Sequence, residues 1–123
     1  LVNKTTEYIQ AHRTEVSVQA SKLWNTTLIL KGAFSLVTSQ SGLIAISPFA
    51  NPGLASGGTG DILAGIAGAL LAQGIDEFDA AKCAVYLHGA AGEELRHEMG
   101  DSGTIASDLL SILPRVTKAL RYG

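Results

Sequence analysis

The stretch Asn51-Pro-Gly-Leu-Ala-Ser-Gly-Gly-Thr-Gly-Asp61 runs straight into the apolar segment Ile62–Gln73, and this junction restricts the possible folds more than any other part of the chain. Four glycines fall within the eight residues Gly53 to Gly60, so backbone amides can converge there without side chains between them. A helix opening at Ile62 points its positive end at the same place, which makes an anion site with one carboxylate, Asp61, beside it. The same letters also describe a plain turn, with Asp61 favoured in a first helical turn because it complements the helix dipole. Two familiar phosphate motifs are excluded. A P-loop needs Lys and Ser or Thr after its last glycine, where this chain has Asp61 and Ile62; a dinucleotide fingerprint begun at Gly58 and Gly60 needs glycine where Leu63 stands.

Composition narrows the class. With 46% hydrophobic and 16% charged residues among 123, the chain has the apolar material of one small domain and too little charge for a disordered tail. A net charge of −2 offers no basic face to nucleic acid. No apolar run reaches membrane-spanning length, the longest being Ile62–Ala72, so no membrane partner is expected. The lone Cys83 cannot form an internal disulfide and reads as a small buried hydrophobe, a usage that suits a reducing cytoplasm. The chain starts at Leu1 and its only methionine is Met99, so a processed, trimmed or partial chain is expected.

Periodicity orders the elements. Val16, Ala20, Leu23 and Trp24 recur at helical spacing, which predicts a helix over 14–24 ending near Asn25. Residues 26–31 suit a strand buried on both faces, as in a parallel sheet, and 34–39 with 43–47 read as two more strands joined by a turn at Gln40-Ser-Gly42. Residues 62–73 are apolar nearly all round, predicting an enclosed helix that Gly74 terminates. Asp76 and Asp79 resemble a capping pair for a long helix whose inner face is Ala80, Ala84, Leu87, Ala91, Leu95 and Met99. A last helix begins near Ile105, with Pro114 expected to kink or restart it. Strands first and helices afterwards indicate an α/β layer.

Five segments in the same order resemble the ribokinase-like small-molecule kinases, and specifically the ADP/ATP-dependent NAD(P)H-hydrate dehydratases. They are Leu28-Ile-Leu-Lys-Gly-Ala33, Asn51 to Gly65, Leu71-Ala-Gln-Gly74, Leu87-His-Gly-Ala-Ala-Gly92 and Ala106-Ser-Asp-Leu-Leu110. The resemblance implies that residues 1–123 are a partial domain, the C-terminal portion of a ribokinase-like fold with a few strands followed by three packed helices. It implies an anion hole for the transferred phosphate at Gly57, Gly58, Thr59 and Gly60, with Asp61 as the base that accepts the substrate's hydroxyl proton. It also implies adenine-nucleotide contacts at Lys31, Gly32, Ala33, Phe34 and Ser35, a stretch that unaided reads as a strand end with a turn. Asn51 would contact phosphate or order the loop. The chain departs from the family's pattern in having Phe49-Ala50 before Asn51, where a small polar residue and glycine are commoner.

The activity so implied is nucleotide-driven: the hydroxyl of the hydrated nicotinamide ring is phosphorylated by ATP or ADP, and phosphate leaves as NADH or NADPH re-forms from NADHX or NADPHX. Mg²⁺ is expected with the nucleotide, held by phosphate and water, and a homo-oligomer is expected of the complete protein. Two alternatives stand beside it, a kinase for a small alcohol such as a vitamin precursor, and an inactive fragment lacking the N-terminal half of the site. His12, His88 and His97 have no zinc spacing and read as solvated or core-satisfied, so no structural metal is assigned. Glu93, Glu94, Arg96 and Glu98 form a solvent-facing charged face, and Ser107-Asp108 is a helix cap or reaches the site.

Overall fold

The computed structural model describes residues 2–123. Helix α1 (Thr6–Ala11) is capped by Thr5, whose hydroxyl accepts from the Tyr8 amide, and helix α2 (Arg13–Leu23) follows after a break at His12. Strands β1 (Leu28–Leu30), β2 (Leu36–Thr38) and β3 (Ile44–Ile46) form one antiparallel sheet in that order, with Ile29 opposite Val37 and Val37 opposite Ala45. The turn at Gln40-Ser-Gly42 is present, closed by Gly42 at φ 91°. A 3₁₀ turn (Pro52–Ala55) then leads to α3 (Thr59–Ala72), α4 (Glu77–Met99) and α5 (Asp108–Tyr122).

The α2 helix is rich in hydroxyls because its inner face is polar. Ser17 and Ser21 are fully buried against β2, where Ser17 Oγ lies 2.9 Å from Thr38 Oγ1 and Ser21 donates to the Ser39 carbonyl at 3.1 Å. Val16 and Ala20 complete that face, whereas Leu23 points outward. Burying hydroxyls is tolerated because each finds a partner.

Helix α4 is the spine, about 34 Å long at 1.5 Å per residue. Its first half packs Ala81, Ala84 and Val85 against Leu63 of α3 and Val37 of β2; its second half packs Ala91 and Leu95 against Leu109 and Ile112 of α5. The α3 helix ends in a Schellman motif, with Gly74 at φ 82° and bonds from Gly74 to Leu71 and Ile75 to Leu70.

Several expectations need correction. Strand β1 is half-buried and antiparallel to β2, because the short turn after it allows a hairpin return. Helix α3 buries only Thr59 and Leu63, since α4 covers just one of its faces. Asp76 caps α4 through the Phe78 amide, while Asp79 bonds to Lys82 at 2.7 Å and completes no capping box. Helix α5 continues through Pro114 without restarting there. Leu87 is half-buried, and Met99 and Cys83 are exposed; Cys83 faces away from the stripe that meets α3 and α5. The charged face of α4 is on the surface, where Arg96 pairs with Asp101 and Arg115 with Glu94 and Glu98.

Candidate active site

The glycine loop is ordered by the residues on either side of it. Asn51 caps the 3₁₀ turn, its Oδ1 accepting from the Gly53 amide at 2.8 Å. Thr59, the first residue of α3, is buried, and its hydroxyl faces inward to the carbonyls of Leu54 (2.6 Å) and Ser56 (2.9 Å). Its amide turns back to the Ser56 carbonyl at 3.4 Å and its carbonyl meets His88 of α4, so Thr59 braces the loop from within. Gly58 caps α3 at φ 86°, a left-handed conformation, and a β-carbon there would also press on Ala106 at 3.1 Å. Among the described residues no protein acceptor meets the amides of Gly57, Gly58 or Gly60. Those donors stand at the positive end of α3, the local chemistry that suits an anion.

One turn of α4 holds this loop from below. His88 Nε2 lies 2.9 Å from the Thr59 carbonyl; a carbonyl only accepts, so the ring's proton is on Nε2. Gly89 leaves room for the Phe49 ring, which contacts the place where a β-carbon would sit, and Gly92 does the same for Leu54. The Phe49 ring also meets Tyr86 edge-on, with centroids 5.2 Å apart. Burial pushes the His88 imidazole below its ordinary pKa against the raising effect of its bond to Thr59, and the Lys31 charge pushes it lower still.

The other wall is the end of β1. Lys31 reaches over the loop so that its ammonium occupies the space beside Gly60 that a side chain would fill. Gly32 and Ser35 close a tight turn, Ser35 Oγ donating to the Gly32 carbonyl at 3.1 Å. Arg13 of α2 clamps the turn from behind, donating to Ala33 O at 2.7 Å and Leu30 O at 3.1 Å. Phe34 follows at φ 53°, uncommon for an aromatic residue, with its amide tied to the Phe49 carbonyl at 2.9 Å.

Between these walls is a cleft of about 440 Å³, lined among others by Lys31, Gly32, Ala33, Ser35, Asn51 and His88. Gly60 joins it through Lys31. Gly57, Gly58 and Asp61 are exposed and do not line this cleft, and Phe34 projects outward. Asp108 is occupied as a cap, accepting from the Ile105 amide at 2.9 Å. No cluster of three or more metal-ligating side chains occurs among the described residues, nor a helix long and apolar enough to cross a membrane. Sequence reasoning missed His88 and Arg13 as organisers of the site. Its available clue for His88 was a histidine beside two glycines three apart in mid-helix, where glycine is costly unless something packs on it.

Fold and loop together define a kinase-like α/β protein. The chain superposes on the Bacillus subtilis protein YxkO of the UPF0031 family with a TM-score of 0.92 and 33% identity, over 97% of this chain and 44% of that one. The family model described as NAD(P)H-hydrate dehydratase matches residues 1–115, and the chain belongs to that family. It is 39% identical over 120 residues to the bifunctional NAD(P)H-hydrate repair enzyme Nnr of Moorella thermoacetica, covering 98% of this chain and 23% of that protein. It is 36% identical to the ADP-dependent (S)-NAD(P)H-hydrate dehydratase of Neisseria meningitidis serogroup B, covering 98% of this chain and 42% of that one. A crystal structure of the ADP/ATP-dependent NAD(P)H-hydrate dehydratase from Bacillus subtilis, co-crystallised with ATP and Mg²⁺, matches with a TM-score of 0.87 and 34% identity over 92% of this chain and 41% of that one. The chain thus spans less than half the length of these relatives.

Proposed function

We propose that the complete polypeptide dehydrates (S)-NAD(P)H hydrate to NAD(P)H at the expense of ATP or ADP, and that residues 1–123 are the nucleotide-facing part of one ribokinase-like domain. The observation that carries this reading is the glycine loop: amides of Gly57, Gly58 and Gly60 without protein acceptors, at the positive end of a helix whose third residue is Asp61. Lys31, the backbone of Gly32 and Ala33, Phe34 and Ser35 form the nucleotide's wall, and Asn51 orders the loop.

Phosphoryl transfer asks a protein mainly for positioning and charge stabilisation. Asp61 accepts the proton of the ring hydroxyl as its oxygen bonds to the nucleotide's terminal phosphorus and the bond to the departing nucleotide breaks. The amides of Gly57, Gly58 and Gly60 receive the negative charge on the moving phosphoryl oxygens. Phosphate then leaves with the carbon–oxygen bonding pair while the ring loses a proton and regains its double bond. Mg²⁺ would neutralise phosphate charge, and a site offering one nearby carboxylate suits its preference for phosphate and water ligands. Asp61 is exposed here, so the wall opposite it is assigned to the part of the domain beyond these residues.

The test is to incubate the complete polypeptide with hydrated NADH and either nucleotide. One phosphate released per NADH formed is expected. A stable phosphorylated alcohol from another substrate, with no NADH from the hydrate, would replace this reading with the kinase one.

A further inference from the structure

Among the described residues His88 is the one buried imidazole, 6% exposed, while His12 and His97 are on the surface. No step of the chemistry above needs it. Its ring crosses from α4 to the first residue of α3, where it meets a backbone already tied backwards by the Thr59 hydroxyl. The glycines flanking Thr59 carry no side chains to hold them, so their order has to come from neighbouring elements. The α4 turn from His88 to Gly92 supplies it at three places: Phe49 on Gly89, Leu54 on Gly92 and Thr59 on His88.

We propose that His88 is a positioning residue: its Nε2–H, donated to the Thr59 carbonyl, fixes the first turn of α3 so that the Gly58 and Gly60 amides and the Asp61 carboxylate keep their places at the start of that helix. The catalytic part of this rests on the proposed function; the mechanical part does not. The bond is protected from water, which strengthens its hold. Lys31 is the charged group facing the ring. It lies over Gly60, so the ammonium and the imidazole meet the loop at two adjacent residues, Gly60 and Thr59.

The experiment uses the complete polypeptide with His88→Leu, His88→Gln and His88→Asn, and His97→Gln as a surface control. Amide hydrogen exchange over residues 53–62 and steady-state kinetics are the readouts. Leu removes the donor, Gln can return an N–H near the Nε2 position, and Asn falls short of it. Expected for Leu and Asn are exchange over 53–62 faster by about tenfold and a kcat lower by about 10- to 100-fold with the KM for the hydrate little changed, since a small misplacement of reacting groups costs that much. Gln should restore most of both, and His97→Gln should change neither. Should Leu fail to fold, the Gln and Asn pair decides. Equal exchange over 53–62 in Gln and Asn, or unchanged exchange in a folded Leu variant, would overturn the proposal. Absence of nucleotide-driven dehydration in the unsubstituted protein would instead sink the functional reading, and the exchange data would still decide the role of His88.

Discussion

The glycine loop beside the cleft, the first wall, is held by buried contacts from a long helix, whereas the second, the strand end, hangs on one arginine and a turn near the surface. Thr59, His88, Phe49 on Gly89 and Leu54 on Gly92 lock the first wall from inside. Residues 31–34 of the second are exposed, Phe34 sits in a left-handed conformation, and Arg13 is the clamp. Strained, lightly packed backbone collects where ligands bind, and rigid backbone where charge must be met in a fixed geometry. On the proposed function, the loop that meets the phosphoryl group is the firmly held one, and the strand end that meets the nucleotide is the more lightly packed.

The largest effect expected is on chemistry. Asp61→Ala should lower kcat by about 10²- to 10⁴-fold, the usual worth of a general base, while nucleotide affinity, measured by calorimetry, survives. Retained turnover would remove Asp61 from the mechanism. Next in size, Gly89→Ala should destabilise the protein by about 1–3 kcal/mol in urea unfolding, because the new methyl meets the Phe49 ring and its β-carbon. Gly65→Ala in open space on α3 should stabilise by about 0.5–1 kcal/mol. Equal effects at the two glycines would erase the claimed rigidity of the first wall.

Arg13→Ala should cost about 1–2 kcal/mol for its two lost carbonyl bonds and speed hydrogen exchange over residues 31–35 while leaving 57–61 unchanged. Loosening of both walls together would show that they are one unit. The smallest effect is on pH. Burial holds the folded pKa of His88 below its ordinary value of 6.5, so the unfolded chain takes up the proton first on acidification. The His88 contribution to stability is intact above about pH 6.5 and is lost as pH falls from there towards the folded pKa. Acid should therefore destabilise the glycine wall, and His88→Gln should flatten that part of a stability profile against pH.

Local chemistry was legible in the sequence where one residue decided it. The helix stop at Gly74, the hairpin turn at Gly42, the loop opening α3 and the cap at Asp76 all follow from letters read in place, and so did the family resemblance. What was not legible depends on partners distant in the chain. The direction of β1 depends on which strand it meets; the exposure of α3 and Cys83 depends on how many neighbours cover them. The burial of Ser17 and Ser21 on α2 depends on Thr38 and the Ser39 carbonyl opposite them. His88 looked like any core histidine because its partner, the Thr59 carbonyl, is 29 residues away and has no sequence mark. Thr59 was read as part of the anion hole, yet its hydroxyl is spent inward.

The central claim is that bare amides of the glycine loop receive the nucleotide's terminal phosphate. Backbone amide chemical shifts of the complete polypeptide, followed as ATP with Mg²⁺ is added, test it most directly. The largest shifts, with slowed exchange, are expected at Gly57, Gly58 and Gly60, and the effect should diminish when AMP replaces ATP. Saturable binding that leaves these three amides unmoved would contradict the claim.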